Sequence, residues 1–267
     1  MNKITIGKAT MMHLDCMEYM ATLPDKSIKL ILTSPPYNMR TRIRNGKYTT
    51  REKSEHFSKK YHHFEDALTL DEYFEFHKKA INEMIRISEL TLYNIQIVTG
   101  SKEALFKLIG YFSEYIKDII IWDKGHGQPS MHEGVLNKAT EFIIVFCSSK
   151  TAGRFIKNSN FERGNLADIW RVGKDLNCTE SHKASFPIRL AEMAILNFSK
   201  EGDLIFDPFM GLGTSCVAAL SLNRKFVGTE LISDYFNEAV LRVTKANNQV
   251  SLFEPAPVAQ PKQEALL

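Results

Sequence analysis

The chain has 267 residues, of which 44% are hydrophobic and 24% are charged, and its formal net charge is +3. This composition is typical of a folded globular protein with a substantial core and argues against a disordered chain. No apolar run approaches the ~20 residues of a membrane-spanning helix, and the N-terminal residues lack the apolar core of a signal peptide. The cysteines are scattered without a C-x-x-C pair, so we expect reduced thiols, no metal site and a cytoplasmic location.

The first predicted element is a buried strand, residues 28–33, which runs directly into the corner sequence TSPPYN. Pro35 and Pro36 fix the backbone of this corner and have no N–H of their own. Ser34 therefore offers a hydroxyl oxygen, and Pro35 a carbonyl oxygen, as preorganised hydrogen-bond acceptors. Tyr37 adds a flat aromatic ring on which a planar ligand can stack. A rigid loop with a core tyrosine is the competing interpretation.

A basic segment, residues 39–66, follows the corner. Up to residue 63 it holds eight Lys/Arg against two Glu, a segment charge of +6, which leaves −3 for the rest of the chain. We interpret this segment as an arm that contacts a polyanion, whereas a solvated surface is the simpler alternative. The residues expected to contact phosphate are Arg40, Arg42, Arg44, Lys47 and Arg51.

From residue 71 onward, helical and strand patterns alternate. The predicted elements are, in chain order, a helix over 71–88, a strand over 93–99, a helix over 102–115, strands over 117–123 and 141–147, a helix over 187–199, a strand over 203–207, a helix over 214–223, a strand over 225–230 and a helix over 233–248. This alternation predicts an α/β fold, with a Rossmann-like, mostly parallel sheet and helices on both faces. Trp122 and Trp170 are expected in the core.

The segment DLIFDPFMGLGTSC predicts a strand, a glycine-containing turn and a helix. Gly211 and Gly213 let the backbone pass close to a ligand, and the helix start at Thr214 offers unpaired N–H groups. Asp207, at the strand end, suits a cationic or hydroxylated ligand better than a phosphate. Glu230 ends the next strand about 20 residues later, where a carboxylate can accept hydrogen bonds from ribose hydroxyls.

Three motifs together resemble the amino-group DNA methyltransferases, which use S-adenosylmethionine. DPFMGLGT with the later GTE resembles their cofactor site, TSPPYN resembles their catalytic motif, and HKASFPIRLAEMAI resembles their His-x-x-x-Phe-Pro-x-x-Leu helix start. The catalytic motif precedes the cofactor motif, which is the circularly permuted order of the beta group of that family. The resemblance spans roughly residues 10–245.

The resemblance implies roles for individual residues and double-stranded DNA as the partner. Ser34, Pro35, Pro36 and Tyr37 would bind an exocyclic base amine after the base has been flipped out of the duplex. The residues implied to contact S-adenosylmethionine are Asp15, Phe186, Pro187, Asp207, Phe209, Gly211, Gly213, Thr214 and Glu230. The sequence departs from the family pattern at Leu14, where glycine is frequent, next to Asp15.

The serine of the corner favours cytosine N4 over adenine N6 as the methylated amine. In the family that the motifs resemble, Asp-Pro-Pro-Tyr usually accompanies adenine methylation, and Ser-Pro-Pro with an aromatic residue usually accompanies cytosine N4 methylation. Asn38 is common among the adenine enzymes, so adenine N6 methylation stays the alternative. Further alternatives are methylation of RNA or of a protein side-chain amide, and a nucleotide-binding module without turnover.

The methyltransferase domain is predicted over residues 1–248, with the basic arm inserted at 39–66 and a target-recognition segment at 148–185. Candidates for guanine readout are Arg154, Arg163, Arg171 and Lys174. A flexible tail, residues 249–267, follows, and its QVSLF sequence resembles the peptide with which bacterial replication and repair proteins dock on the sliding clamp. That contact would use Gln249, Leu252 and Phe253, whereas packing of these residues on the last helix is the simpler alternative. Homodimer formation, the recognition sequence and a paired restriction nuclease are left open.

Overall fold

The structure is a computed structural model in which strands and helices follow one another along the chain. It describes residues 2–38, 41–44, 47–50, 68–128, 133–150, 153–157, 159–173 and 186–251, with the backbone alone for residues 41–44, 47–50, 128 and 249–251. The elements are β1 (Asn2–Ile6), β2 (Ala9–His13), α1 (Cys16–Thr22), β3 (Ile28–Thr33), β4 (Thr41–Arg44), β5 (Lys47–Thr50), α2 (Leu70–Ile87), β6 (Ser88–Ile95), α3 (Lys102–Tyr111), β7 (Ile116–Gln128), β8 (Lys138–Cys147), β9 (Ile169–Arg171), α4 (Ile188–Phe198), β10 (Leu204–Asp207), α5 (Thr214–Ser221), β11 (Lys225–Glu230) and α6 (Ser233–Ser251). Within these ranges, no helix is long and apolar enough to cross a membrane.

Nine strands form one sheet in the order β1-β2-β11-β10-β3-β6-β8-β7-β9, and β4 pairs with β5 in a separate antiparallel hairpin. The β2–β11, β11–β10, β10–β3, β3–β6 and β7–β9 pairs are parallel. The β1–β2, β6–β8 and β8–β7 pairs are antiparallel. The predicted Rossmann-like, mostly parallel α/β sheet is therefore confirmed.

The direction of the chain crossings reverses at the β10–β3 pair. After β3 the chain passes through α2 to β6 on one side, and after β10 it passes through α5 to β11 on the other side. Such a reversal opens a crevice at the carboxyl ends of the strands, where ligands bind in open α/β sheets. We call this side of the sheet the ligand edge. It comprises the carboxyl ends of β3, β6, β7, β10 and β11 and the amino end of β8, which runs antiparallel to its neighbours.

Helices cover both faces of the sheet, as predicted. α4, α5 and α6 pack on one face, where Leu190 and Phe236 are buried. α1, α2 and α3 pack on the other face, where Met84 and Leu108 are buried. Both tryptophans are almost fully buried, which confirms their predicted place in the core (Trp122 and Trp170).

The amino end of α2 is fixed by a capping box. The Thr69 hydroxyl accepts a hydrogen bond from the Glu72 backbone N–H, and the Glu72 carboxylate accepts one from the Thr69 backbone N–H at 2.9 Å. This pair satisfies N–H groups that have no partner within a helix. The Thr69 backbone N–H and, second, the Thr69 hydroxyl, which donates to Glu72 Oε2 at 2.8 Å, lower the pKa of the Glu72 carboxyl. α2 therefore begins at a defined residue, which fixes the height of its buried side chains against the sheet.

Several elements differ from the predicted ones. The β1–β2 hairpin, α1, β9 and the β4–β5 hairpin inside the basic arm have no predicted counterpart. β6 occupies Ser88–Ile95 instead of 93–99, because Ser88 both caps the end of α2 and begins the strand pairing with Ile28. α6 continues to Ser251, past the predicted domain boundary at residue 248. The tail from residue 252 onward lies outside the described residues.

Candidate active site

Asp207 connects the predicted catalytic corner to the predicted cofactor turn. Its Oδ1 accepts hydrogen bonds from Thr33 Oγ1 at 2.7 Å and from the Phe209 backbone N–H at 3.0 Å, and its Oδ2 accepts one from Ser215 Oγ at 2.5 Å. Burial raises the pKa of this carboxyl from 3.8 to about 6, although the three hydrogen bonds act in the opposite direction. Thr33 immediately precedes Ser34. One buried carboxylate thus holds the end of β3 against the start of α5.

Glu230 braces the glycine turn. Its Oε2 accepts the Gly211 backbone N–H at 2.9 Å, and its Oε1 accepts the Ile232 backbone N–H at 2.8 Å. Burial raises the pKa of the Glu230 carboxyl, and these two N–H groups oppose the shift. Each carboxylate oxygen has a further lone pair, so Glu230 can also accept a hydrogen bond from a ligand hydroxyl. Gly211 has a φ of 51°, and none of the described residues has a heavy atom within 4 Å of the position that a Cβ would take. The turn therefore leaves open space beside Gly211.

The next two predicted cofactor residues contact α6. Gly213 has a φ of 72°, and a Cβ at this position would lie 3.2 Å from Val243 Cγ2. The Thr214 hydroxyl accepts a hydrogen bond from Arg242 Nη1 at 2.9 Å. Glycine is therefore required at 213 by the backbone conformation and by the packing of α6. The predicted cofactor contact of both residues stays a prediction.

Phe186, Pro187, Phe209 and Asp15 are the remaining predicted cofactor residues. Phe186 is buried in the core on the α4 side of the sheet, and Pro187 occupies the N-cap position of α4. The Phe209 ring is half-buried and packs on the α2 side. Asp15 caps α1, since its Oδ1 accepts the Met17 backbone N–H at 2.7 Å. Their contacts to a cofactor are likewise still predictions.

Asn38 closes the base of the basic arm. Its Nδ2 donates to the Leu68 carbonyl at 2.9 Å, and its Oδ1 accepts the Leu68 backbone N–H at 2.8 Å. Asn38 is fully buried and has a φ of 57°, a left-handed conformation that asparagine tolerates better than most residues. The two ends of the segment between residues 38 and 68 are therefore held together directly behind the corner.

His77 of α2 lies beneath the corner. Its Nδ1 shares a short hydrogen bond with the Tyr93 hydroxyl of β6. Burial lowers the pKa of His77 to about 3, although the Pro36 carbonyl acts in the opposite direction. Nε2 itself has no partner in hydrogen-bond geometry among the described residues. The imidazole is therefore neutral at physiological pH, and it forms a polar support between α2, β6 and the corner.

The corner belongs to a hydrogen-bonded network at the ligand edge. Tyr37 Oη lies 2.7 Å from Ser34 Oγ and donates to Glu141 Oε2 at 2.9 Å. Asn94 Nδ2 donates to Tyr37 Oη at 2.7 Å and to Glu141 Oε2 at 2.8 Å. Lys124 Nζ lies 3.1 Å from Glu141 Oε1, and both of these side chains are at most 10% exposed. The corner, β6, β7 and β8 each contribute to one buried polar cluster, which we call the corner network.

The Tyr37 hydroxyl is therefore internal. Burial first, and then the Glu141 charge, raises the pKa of this phenol well above its usual 10, so it stays protonated at physiological pH. The ring is half-buried and packs on the α2 side of the core. Stacking of a base on the exposed part of the ring stays a prediction.

The site residues Asn94, Lys124, Glu141 and His77 were not predicted from the sequence. The first three carried a signal, because each is a polar residue within or at the end of a predicted buried strand. A charged or amide side chain at the ligand end of such a strand needs a polar partner. Which partner it takes depends on strand order, and the sequence does not show that order.

The residues predicted to contact DNA phosphates lie in the basic arm. Arg40 and Arg51 lie outside the described residues. Arg42, Arg44 and Lys47 belong to the β4–β5 hairpin, of which only the backbone is described. The hairpin begins at Thr41, three residues after Asn38, so the chain enters it directly after the corner at the ligand edge.

Two of the predicted guanine-reading arginines are engaged in ion pairs. Arg154 Nη2 lies 2.6 Å from Asp118 Oδ2, and Arg171 Nε lies 3.6 Å from Asp123 Oδ2. Both arginine side chains are more than two thirds exposed, at 72% and 78%. Exposed ion pairs of this kind are weak, so a nucleic acid can compete for either arginine.

Comparison with known proteins supports one family. The family model for N6/N4 methyltransferases, described as DNA methylase, matches residues 28–241. The chain is 28% identical over 267 residues to the type II methyltransferase M.HinfI of Haemophilus influenzae, which covers 91% of this chain and 71% of that protein. It is 44% identical over 80 residues to the orphan methyltransferase M.BamHII of Bacillus amyloliquefaciens, which covers 28% of this chain and 30% of that protein.

Solved structures share the fold. The PvuII DNA methyltransferase, described as cytosine-N4-specific, matches with a TM-score of 0.68 and 16% identity over 92% of this chain and 93% of that chain. The complex of M1.HpyAVI with SAM matches with a TM-score of 0.57 and 19% identity over 88% of this chain and 99% of that chain. The family model spans most of the chain, from β3 to α6, and the protein therefore belongs to the DNA methylase family of N6/N4 methyltransferases.

Proposed function

We propose that this DNA methylase transfers a methyl group from S-adenosylmethionine to the N4 amine of cytosine in duplex DNA. The proposal depends on the Asp207 carboxylate, which joins the end of β3, next to Ser34, to the first turn of α5. Methyl transfer requires that donor and acceptor meet in line at close range, and the open turn and the corner are adjacent here. A serine at the corner, instead of a carboxylate, supports cytosine over adenine as the target.

The residues of the glycine turn fit S-adenosylmethionine. Gly211 leaves open space where a side chain would stand. Glu230 keeps free lone pairs for ribose hydroxyls while it holds the turn. When bound, the cofactor supplies an electrophilic methyl group. The residues that would hold it are those of the turn together with Glu230, and Asp207 fixes the turn from within.

The corner is suited to an exocyclic amine. The lone pair of such an amine is delocalised into the base ring, so acceptors that bind both N–H groups make the nitrogen more nucleophilic. Ser34 Oγ and the Pro35 carbonyl provide these two acceptors. Asn38 fixes the corner through two hydrogen bonds to Leu68, so the acceptors do not have to reorganise when the base arrives. The chain thus prepares both oxygens before the reaction.

The basic arm is proposed to contact DNA phosphates. Replacement of three phosphate ligands should lower the slope of log affinity against log salt by about 3. The test variant is Arg40→Ala/Arg42→Ala/Arg44→Ala. A matched control with the same loss of charge at the opposite edge of the sheet is Lys8→Ala/Lys200→Ala/Lys225→Ala, whose positions are exposed. If both variants have the same salt slope as the unaltered protein, the arm does not contact phosphate.

The C-terminal tail is proposed to dock on a sliding clamp, which would locate the enzyme in the cytoplasm on newly replicated DNA. Leu252 and Phe253 would fill an apolar pocket, and Gln249 would form a hydrogen bond beside it. α6 extends to Ser251, so the motif begins on the last turn of this helix. Clamp binding that is lost in Leu252→Ala/Phe253→Ala would support this docking. Equal binding by both proteins, or no binding by either, would exclude it.

The methylation itself is tested with labelled S-adenosylmethionine and three nucleic acids: duplex DNA, single-stranded DNA and RNA of the same sequence. We expect label in the duplex and release of S-adenosylhomocysteine only when DNA is present. Transfer of the label to RNA alone would indicate that RNA, and not duplex DNA, is the substrate. Cofactor binding without transfer to any substrate would indicate a module without turnover.

A further inference from the structure

The corner network has a fixed direction of hydrogen bonding. An ionised carboxylate can only accept, and a hydroxyl has a single hydrogen to donate. Tyr37 Oη lies 2.9 Å from Glu141 Oε2 and 3.4 Å from the Asn94 carbonyl, and both of these groups are acceptors. Tyr37 therefore donates its hydrogen inward, away from Ser34.

This direction determines the role of Ser34. Because the hydrogen of Tyr37 is already used, the 2.7 Å contact between the two hydroxyls requires that Ser34 donates and Tyr37 accepts. The single hydrogen of Ser34 is then used as well. Asn94 Nδ2 also lies 3.4 Å from Ser34 Oγ, but its two hydrogens are used by the nearer acceptors, Tyr37 Oη and Glu141 Oε2. Ser34 Oγ therefore keeps lone pairs but no hydrogen for a ligand, so this hydroxyl can meet the ligand edge only as an acceptor.

Asn94 and Lys124 keep the network in this state. The Asn94 atom that faces Glu141 at 2.8 Å must be the amide nitrogen, since two oxygens would repel each other, and the same nitrogen donates to Tyr37 Oη. Lys124 Nζ compensates the buried charge of Glu141 at 3.1 Å. The high pKa of the Tyr37 phenol keeps its hydrogen in place across the neutral pH range.

We propose that Glu141 is a positioning residue for methyl transfer, which acts through Tyr37 to hold the Ser34 hydroxyl as a hydrogen-bond acceptor toward the target amine. This inference rests on the proposed function. A serine alone can turn its hydrogen toward the substrate, where the amine offers two N–H donors and a second donor would oppose binding. Because Glu141 accepts the hydrogen of Tyr37, it excludes the orientation in which the Ser34 hydrogen points toward the amine.

The test uses Glu141→Gln, Tyr37→Phe and the double variant. Glutamine keeps the size of the side chain, but its amide can donate to Tyr37, so the direction of the network is no longer fixed. Phenylalanine keeps the ring and removes the link. We expect each single variant to lower the single-turnover rate of methyl transfer by about ten-fold or more, with dissociation constants for S-adenosylmethionine and DNA within about three-fold. The double variant should be no slower than the slower single variant, since both changes break one chain.

The control variant is Lys124→Met/Glu141→Gln, which removes both partners of the ion pair and so leaves no unpaired buried charge that could destabilise the fold. It should show the same loss of rate as Glu141→Gln. A rate of Glu141→Gln close to that of the unaltered protein would overturn the inference, and so would losses that multiply in the double variant. Ser34→Ala distinguishes a failure of this inference from a failure of the proposed function. If the unaltered protein methylates DNA and Ser34→Ala does not, the proposed function stands whatever Glu141→Gln shows.

Discussion

Asp207→Asn is expected to change how the stability of the protein depends on pH. The Asp207 carboxyl has a pKa of about 6 in the folded protein, against 3.8 for an unperturbed aspartate. This difference corresponds to about 3 kcal/mol, since each pKa unit is worth about 1.4 kcal/mol. Because the folded pKa is raised, the buried charge destabilises the folded state above pH 6. That destabilisation disappears as the pH falls from about 6 toward 3.8.

The change in the free energy of unfolding through Asp207 can be measured between pH 7 and pH 5. From the two pKa values, acidification over this window should raise the free energy of unfolding by about 1 kcal/mol through Asp207 alone. Asparagine has no such contribution. The difference in unfolding free energy between the unaltered protein and Asp207→Asn, measured by urea denaturation at several pH values, should therefore move in favour of the unaltered protein on acidification. Taking the difference cancels the other titrating groups, provided that they do not interact with this site.

Ser215→Ala gives an internal check on the direction. The Ser215 hydroxyl donates to Asp207 Oδ2 and lowers the pKa of that carboxyl, so its removal should move the transition to higher pH. A stability difference that is constant between pH 7 and pH 5 would contradict the buried position of Asp207. A difference of the opposite sign would mean that the carboxylate is stabilised as a charged group, which the three hydrogen bonds would then have to explain.

Three further outcomes are expected. Ser34→Ala should lower the rate of methyl transfer by about 100-fold while the cofactor dissociation constant stays within a few-fold, because it removes an acceptor that acts on the amine alone; a loss below about ten-fold in a single-turnover assay would exclude Ser34 from the amine contact. Glu230→Ala should weaken S-adenosylmethionine binding before it affects transfer, since it removes a ribose acceptor and the brace of Gly211; an unchanged dissociation constant in calorimetry would contradict that assignment. Asn38→Ala should lower the free energy of unfolding by about 2 kcal/mol through two lost hydrogen bonds to Leu68, and Asn38→Gly should lose less because glycine accepts the φ of 57°. Equal losses in urea denaturation would show that the backbone conformation is not strained.

The parts of the fold that sequence analysis predicted are those with local signals. The strand before the corner is mostly apolar, and the glycine turn lies between a strand and a helix, so both patterns are complete within a short window. β1 was missed because its residues are at most partly buried, and β2 was missed although Ala9, Met11 and Met12 are buried, because its place in the sheet follows from pairing with β11, far away in the sequence. β6 was placed too late, since the pattern gave no sign that a strand begins directly at the end of a helix.

The residues of the candidate site likewise differ in whether a local sequence signal marks them. The positions of Ser34, directly after β3, and Glu230, at the end of β11, could be predicted because each lies in a motif with a defined spacing, and their roles stay predictions. Glu141 could not, because its relation to Tyr37 exists only once β8 has paired antiparallel with β6 and placed its amino end at the ligand edge. Asp207 lies between these cases. Its presence at the end of a strand was recognised, but its role as an internal tie between β3 and α5 depends on the β10–β3 pairing.

The most direct measurement of the central claim is the identity of the modified nucleoside. Duplex DNA is incubated with the protein and S-adenosylmethionine, digested to nucleosides and analysed by mass spectrometry, with the Ser34→Ala protein as the control. The account predicts N4-methylcytosine in the first sample and its absence in the control. N6-methyladenine in place of N4-methylcytosine would contradict the assignment of the base, and DNA without any methylated amine would contradict the function of the corner itself.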